Sequence, residues 1–330
     1  MSARFRKITV DLHRPGEEVV GVNPKVNNLM KSYRRAENDI LWVIDSGISV
    51  GQGTLARSVA ALTVPARRRI AVVHHVPSAI IDGNQVGSRL EAAFLNTNHA
   101  KMYIAINTLG IESCVVGKSN LYRKSDVDRV NGSRIPIKDQ KDSEAREYGL
   151  RAFGKYLAED NMLASALWHE LDLRHDLSCD VVQNFVGKMS FMDYIWRRVR
   201  WIRVRKHMVW SATVLEPFTE CFMVALIGSF AFGTLFSVPR WIFLLLHFVA
   251  WLEIDFEVYS ALLGEYPALE DLPLFLLAWI GRETLAFPIW VLGVFGNEII
   301  WRGQRYQMIK DGEARPIGGK EEPLLRSFPP

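Results

Sequence analysis

The sequence predicts a mixed α/β domain over residues 1–212, followed by a helical membrane region over residues 213–300. Strand-like and helix-like patterns alternate in the first part. Long apolar runs follow in the second part, and a basic, aromatic stretch at residues 196–206 separates the two. Catalytic chemistry is therefore expected before this stretch, and a membrane anchor after it.

Charge and cysteine content exclude several protein classes. The net charge of the 330 residues is only +4, and much of the excess lies in residues 196–206, which favours a membrane surface over nucleic acid. Cys114, Cys179 and Cys221 are widely spaced and form no CxxC pair, so neither a disulfide framework nor a zinc site is expected. This pattern favours a reducing, cytosolic environment.

The first candidate site residue is Lys25. Residues 21–30 have a helix pattern in which Asn23 is placed to cap the N-terminus and Pro24 begins the first turn. A lysine at this position suits a phosphate group, although a solvated lysine on a capped helix would have the same pattern. Spacing alone leaves both readings open.

A second candidate is Asp45, which directly follows the apolar run at residues 39–44. That run is typical of a strand buried on both faces of a parallel sheet. Ligands of open α/β sheets bind at the carboxyl ends of strands, so Asp45 could hold a metal ion or a nucleotide. Aspartate before Ser-Gly is equally an ordinary turn residue.

A strand is also predicted at residues 69–77, where His74 and His75 should point to opposite faces, so that at most one of them faces a site. Residues 114–123 are predicted as strand, glycine turn and strand. Their Gly-Lys-Ser is not part of a P-loop, because Glu112 occupies the place of that motif's first glycine.

Asp160 is the third candidate, in a helix predicted from residue 157. Its acidic start allows two readings: Asp160 caps the helix, or it is a catalytic base at a pocket rim. The charged residues 124–147 before this helix are predicted to form an exposed loop.

Apolar segments at residues 214–236 and 274–295 are long enough to span a bilayer, whereas 241–263 is marginal. Arg282 and Glu283 lie inside the third segment and should face a protein interior or polar cavity. Basic flanks before the first segment and after the third both favour the cytosol, so one segment is expected not to cross. Residues 301–330 are predicted to be a basic, largely disordered tail.

The order of these motifs resembles a known family. Asp45-Ser46-Gly47, then Glu159-Asp160, then Arg197-x-x-Arg200-Trp201 and apolar segments are similar to the membrane-bound, family 2-like glycosyltransferases. Residues 21–30, 114–119 and 302–306 make the chain resemble the ceramide glucosyltransferases, which form family 21, more closely.

This resemblance implies a GT-A-type, Rossmann-like nucleotide-sugar domain on the cytosolic face of the Golgi membrane. It implies UDP-glucose and ceramide as substrates, and a divalent cation, Mg or Mn, held by Asp45 at the donor diphosphate. Asp160 would be the general base of an inverting transfer. Lys25, Arg197, Arg200 and Trp201 would bind the donor, and His74 and Trp201 would be on the acceptor side.

One departure from the family pattern leaves alternatives open. The family has an N-terminal anchor and a first aspartate at the uridine, and Asp11 does not occupy that aspartate's position. An inactive, truncated membrane protein is therefore a second hypothesis. A third is a polysaccharide synthase, which would need more membrane spans.

Overall fold

The computed structural model describes residues 11–12, 18–65, 67–140 and 146–318. The helices are α1 (Pro24–Arg35), α2 (Thr54–Thr63), α3 (Val86–Phe94), α4 (Ala100–Leu109), α5 (Lys124–Val127), α6 (Glu159–Leu171), α7 (Phe191–Met208), α8 (Trp210–Leu215), α9 (Cys221–Leu235), α10 (Arg240–Leu263) and α11 (Leu272–Val294). The strands are β1 (Ile40–Ile44), β2 (Ile48–Ser49), β3 (Ile70–Ile81), β4 (Ser119–Arg123), β5 (Arg174–Val186), β6 (Glu298–Trp301), β7 (Gln304–Met308) and β8 (Ala314–Pro316). A π-helical segment, Leu95–His99, joins α3 to α4.

A five-stranded sheet in the order β1-β4-β3-β5-β2 forms the centre of the α/β domain. Strands β3 and β5 pair in parallel, whereas β4 runs antiparallel to both β1 and β3. The sheet is therefore mixed, and the prediction that residues 39–44 form a parallel strand buried on both faces is wrong. Strand β1 pairs with an antiparallel neighbour, and most of its residues are only half-buried.

Helices cover both faces of this sheet. Val72 of β3 belongs to a core cluster with α1, α6 and residues 150–153, whereas the next residue, Val73, packs on the opposite face near α2. This alternation is the two-residue period of a strand. The sheet is thus enclosed between two layers, with the starts of α1 and α6 on the same face.

The structure differs from the predictions for two connecting segments. Residues 114–118 form no strand, because the side chains of Asn107 and Tyr103 bond backbone groups there: Asn107 donates to the Cys114 carbonyl, and Val116 donates to the Tyr103 hydroxyl. Residues 124–140, predicted as exposed loop, begin with α5 and bury Val127 and Val130. Residues 141–145 of that predicted loop lie outside the described residues.

The apolar helices follow α7. In the described residues, α11 alone is long and apolar enough to cross a membrane as a single helix. The residues 210–219 and helix α9 meet the same criterion together but are bent by 65°. Helix α10 packs mainly against α9, and Glu253, Asp255 and Glu257 interrupt its apolar sequence.

The charged residues within α11 face the protein, as predicted. Arg282 and Glu283 are almost completely buried. Arg282 donates to Glu220 at 2.7 Å and to Glu283 at 2.6 Å. Pairing of this kind offsets part of the high cost of burying a charge.

The C-terminal end of α11 is capped by side chains of α7. Lys206 donates to the Val294 and Gly296 carbonyls, both at 2.7 Å, and Arg203 donates to the Leu292 carbonyl at 3.2 Å. Cations at a helix C-terminus satisfy its free carbonyls and complement its dipole. The two helices therefore end side by side.

Residues 301–318 do not form the predicted disordered tail. Strands β6, β7 and β8 make an antiparallel sheet that buries Tyr306, Met308 and Ala314. The Ala314 amide donates to the Lys155 carbonyl at 3.0 Å, which attaches the sheet to the α/β domain. Residues 319–330 of the predicted tail lie outside the described residues.

Candidate active site

The start of α1 is fixed to the start of α6 by Asn23. The Asn23 side-chain oxygen accepts from the Lys25 amide at 2.8 Å, as an N-cap does. Its Nδ2 donates to Glu159 Oε2 at 2.6 Å and to the Tyr156 carbonyl at 2.7 Å. The predicted cap is confirmed, and it also positions Glu159 beside Lys25.

Lys25 joins three segments that are distant in sequence. Its Nζ lies 2.9 Å from Asp45 Oδ1 and 3.2 Å from Glu159 Oε1, and it donates to the Gly117 carbonyl at 3.0 Å. Burial alone would lower the pKa of Lys25, but the charges of Glu159, Asp160 and Asp45 outweigh it and raise that pKa. Lys25 is therefore a permanent cation at the centre of the site.

Asp45 lies between two lysines at the end of β1. Lys118 Nζ is 3.3 Å from Asp45 Oδ2, opposite the oxygen that faces Lys25. Burial lowers the pKa of Lys118, while Asp45 opposes that effect and Arg197 adds to it. Arg197 is thus close enough to Lys118 for its charge to act on that lysine.

Asp160 occupies the first turn of α6, where Ala158 is the N-cap residue, so the reading of Asp160 as a cap is wrong. Its carboxylate packs directly against Gly117, where any Cβ would overlap it. Asp160 also lines a small cavity together with Lys25 and Glu159. The structure therefore brings Asp45 and Asp160 into one cluster through Lys25 and the loop at Gly117.

Helix α7 supplies the arginines. Arg197 Nε donates to the buried Glu91 carboxylate of α3 at 2.8 Å. Arg200 has no hydrogen bond or ion pair to any part of the chain that the structure describes, and burial and the nearby Arg197 lower its pKa to about 10. An unpaired, partly buried guanidinium suits an anion. Trp201 packs against Phe94 and His99.

Comparison with known proteins identifies the family. The model of "Glycosyl transferase family 21" matches residues 1–138 and 144–314. The chain belongs to glycosyl transferase family 21. That match includes Lys25, Asp45, Asp160 and the arginines of α7, and it stops before the last residues of the chain.

Three relatives of this family 21 chain are named ceramide glucosyltransferases. It is 36% identical to a ceramide glucosyltransferase of Komagataella phaffii, over 93% of this chain and 71% of the relative. It is 30% identical to a ceramide glucosyltransferase of Candida albicans, over 90% of this chain and 73% of the relative. A ceramide glucosyltransferase of Gibberella zeae is 32% identical over 92% and 72%.

His74 lies apart from the cluster of this family 21 chain. It is fully buried in β3, and its Nδ1 lies 2.5 Å from the Tyr103 hydroxyl. The Tyr103 hydroxyl also accepts from the Val116 amide. Burial also lowers the pKa of His74, so the ring is neutral. The acceptor role of His74 stays a prediction, and its position gives that role no support.

Sequence reasoning missed Lys118, Glu159, Glu91 and Gly117. Lys118 follows Gly117 in the Gly-Lys-Ser segment, which does not complete a P-loop. This glycine-lysine pair was nevertheless a usable signal for a phosphate-binding lysine. Glu159 directly precedes the predicted base. Glu91 gave no signal, because one acidic residue in an amphipathic helix pattern reveals nothing about a partner 106 residues away.

Glu159 should make stability depend on pH. Burial, followed by the charge of Asp160, raises the pKa of Glu159 to about 7, above its usual value of 4.5. The folded state then binds a proton more tightly than the unfolded state, so stability should fall as pH rises from 4.5 to 7. We expect the Tm of detergent-solubilised protein to fall over this range. In Glu159→Gln this part of the pH dependence should disappear, and an unchanged slope would contradict the assignment.

Proposed function

We propose that this protein transfers glucose from UDP-glucose to the primary hydroxyl of ceramide, giving glucosylceramide with inversion at the anomeric carbon. The observation that carries the proposal is the convergence of Asp45, Glu159 and Asp160 around Lys25, with Arg197 near the neighbouring Lys118. Family membership supports the reaction class, and the names of the relatives support these substrates.

Asp160 is the general base of the proposed reaction. Its carboxylate takes the proton of the ceramide hydroxyl while the hydroxyl oxygen forms a bond to the anomeric carbon. The bond from that carbon to the diphosphate oxygen breaks, and UDP leaves on the opposite side. A positioned carboxylate of this kind contributes about 10²–10⁴-fold to a rate.

The cations of the site bind the departing diphosphate. Lys25 and Lys118 flank Asp45, Arg197 is close enough for its charge to act on Lys118, and Arg200 follows one turn along α7. Stabilising the charge that develops on a leaving group is often the largest contribution to catalysis. Trp201, the next residue of α7, packs against Phe94 of α3.

Asp45 also suits a divalent cation. Within the described residues, no three His, Cys, Asp or Glu side chains are arranged to hold a metal ion. Mg²⁺ commonly uses one or two carboxylates and takes its other ligands from phosphates and water. The Asp45 carboxylate is 30% exposed, and each of its oxygens faces a lysine, so a cation bound there would replace the contact to Lys25 or to Lys118. A bound cation would supply further neutralisation of the diphosphate.

We place the protein in the Golgi membrane, as a multi-pass protein whose catalytic part faces the cytosol. The outer faces of α9, α10 and α11 expose large apolar side chains, which fits a lipid environment. The three cysteines, all in described residues, are free thiols, which suits a reducing compartment. A lipid acceptor requires a site at a membrane surface.

The direct test is a transferase assay on membranes that contain the full chain. Radiolabelled UDP-glucose and a short-chain ceramide should give a lipid that a β-glucosidase, but not an α-glucosidase, cleaves. Membranes from cells without the chain are the control. A labelled polymer, or no labelled lipid from inserted protein, would contradict the proposal.

Removal of divalent cations tests the role of Asp45. EDTA should abolish glucosylceramide formation by the wild-type chain, and added Mg²⁺ or Mn²⁺ should restore it. Full activity in EDTA would show that Lys25, Lys118 and the arginines neutralise the diphosphate without a cation.

A further inference from the structure

Glu91 of α3 is a fully buried carboxylate with a single partner. Its Oε1 accepts from Arg197 Nε of α7 at 2.8 Å, and its Oε2 is buried without a hydrogen-bond partner among the described residues. Burying a carboxylate is costly, and one ion pair often does not offset that cost. An apolar residue would pack here at a lower cost, so Glu91 indicates a role that it fulfils through Arg197.

Contacts at the start of α3 fix this helix against the start of α7. Ser88 Oγ donates to the Gly187 carbonyl at 2.9 Å, just before α7. A Cβ at Gly87 would overlap the Ser190 carbonyl, so the two segments touch there. Glu91 follows Gly87 by four residues and therefore lies on the same side of α3. The carboxylate is thus held against α7 by the packing of the helix that carries it.

The bond to Glu91 fixes the orientation of Arg197. Glu91 binds its Nε, and its guanidinium lies 5.5 Å from the Trp201 ring. Its Nη1 and Nη2 form no hydrogen bond or ion pair with the part of the chain that the structure describes. The Arg197 side chain is 28% exposed, so these two nitrogens, which form one edge of the planar guanidinium, are free to bind a ligand.

The charge of Arg197 acts on two other cations, Lys118 and Arg200. In both, burial lowers the pKa and the positive charge of Arg197 lowers it further. Asp45 pairs with Lys118 on one side only, and Arg200 has no ion pair within the described ranges. An anion bound among these cations would relieve their mutual repulsion. A diphosphate has the charge and the oxygen atoms for this position.

We propose that Glu91 is a positioning residue for the diphosphate of the sugar donor. It holds Arg197 by Nε and turns the edge with Nη1 and Nη2 toward the diphosphate, which Lys118 also contacts. Two parallel hydrogen bonds from one guanidinium to phosphate oxygens are strong and directional. Glu91 itself does not touch the substrate. The inference rests on the proposed function, because it takes the donor to be UDP-glucose.

The first experiment measures UDP binding to the detergent-solubilised full chain by isothermal titration calorimetry, without turnover. Glu91→Leu removes the acceptor for Arg197 Nε while keeping a side chain of similar size. We expect it to weaken UDP binding about tenfold, the effect of one hydrogen bond to a charged group. Glu91→Gln keeps an oxygen that can accept from Nε, so its UDP affinity should be within about threefold of the wild-type value.

The second experiment tests whether Glu91 acts through Arg197. Arg197→Met should weaken UDP binding about tenfold or more. Adding Glu91→Leu should weaken it no further, because the two residues act as one unit. The double variant replaces a costly buried carboxylate and its partner by apolar side chains, so its Tm should equal or exceed that of the wild type. A merely structural role of Glu91 would lower the Tm of the double variant and weaken UDP binding further.

The matched control replaces a second carboxylate–arginine pair of the α/β domain. Asp126 of α5 is also buried, and Arg69 donates to it at 2.5 and 2.8 Å. The double variant Asp126→Leu/Arg69→Met should bind UDP as the wild type does. An equal loss of UDP affinity in the two double variants would mean that such pairs support the fold in general, and it would overturn the specific role of Glu91.

Wild-type UDP affinity in Glu91→Leu, or a further loss when Glu91→Leu is added to Arg197→Met, would also overturn the positioning role. The transferase assay would still decide the proposed function independently. Conversely, UDP binding that follows the expected pattern in a chain that forms no glucosylceramide would contradict the proposed function and retain the role of Glu91. The two failures are therefore distinguishable.

Discussion

Asp160→Asn is expected to lower kcat for glucosylceramide formation by about 10²–10⁴-fold, with little change in the binding of UDP-glucose. The amide cannot accept the proton of the ceramide hydroxyl, whereas its size lets it remain beside Gly117. Lys25 keeps Asp45 and Glu159 as partners, so the donor side of the cluster should remain intact. Turnover with labelled UDP-glucose and a UDP-glucose thermal-shift titration measure the two effects.

Asp172→Asn is a matched control on the same helix. Asp172 is exposed at the C-terminal end of α6 with a φ of 53°, a conformation that asparagine tolerates well. Its activity should equal that of the wild type. Normal kcat in Asp160→Asn would remove Asp160 from the role of base and would direct attention to Glu159.

Gly117→Ala should lower kcat by about 10²-fold, because a Cβ at residue 117 would occupy the position of the Asp160 carboxylate. The backbone at Gly117 does not need a positive φ, so the clash with Asp160 is the expected cost. A displacement of about 1 Å at a reacting group can reduce a rate by this factor. Single-turnover kinetics with saturating UDP-glucose would isolate the chemical step.

Gly47→Ala is the corresponding control, since a Cβ there meets only the Phe185 carbonyl at an ordinary 3.6 Å. Its kcat should be close to that of the wild type. An equal loss in both variants would mean that the loops around the sheet, and not the position of Asp160, limit the rate.

The local parts of the site could be predicted from the sequence. Asn23, Pro24 and Lys25 form a helix start through contacts within a few residues, and the end of β1 places Asp45 at a sheet edge. The direction of each strand and its neighbours in the sheet could not be predicted, because an apolar run has the same pattern in parallel and antiparallel sheets. The antiparallel β4 beside β1 depends on the whole chain.

Ion pairs between residues distant in sequence could not be predicted from local sequence patterns either. The pairing of Arg197 with Glu91 and of Arg282 with Glu220 joins residues separated by 106 and 62 positions. The C-terminal strands were missed for a similar reason. Their glycine, proline and charge are typical of disorder, and their order comes from packing on Val22, Leu157 and Val204.

The capping of α11 by α7 has a mechanical consequence. Lys206 and Arg203 of α7 bind the end of the apolar helix α11, and Arg197 and Arg200 lie one to two turns earlier on α7. Helix α7 is about 27 Å long at 1.5 Å per residue. A change in the tilt of α11 would therefore also rotate α7. In the proposed membrane placement, a change in bilayer thickness that alters the tilt of α11 would therefore also move Arg197 and Arg200.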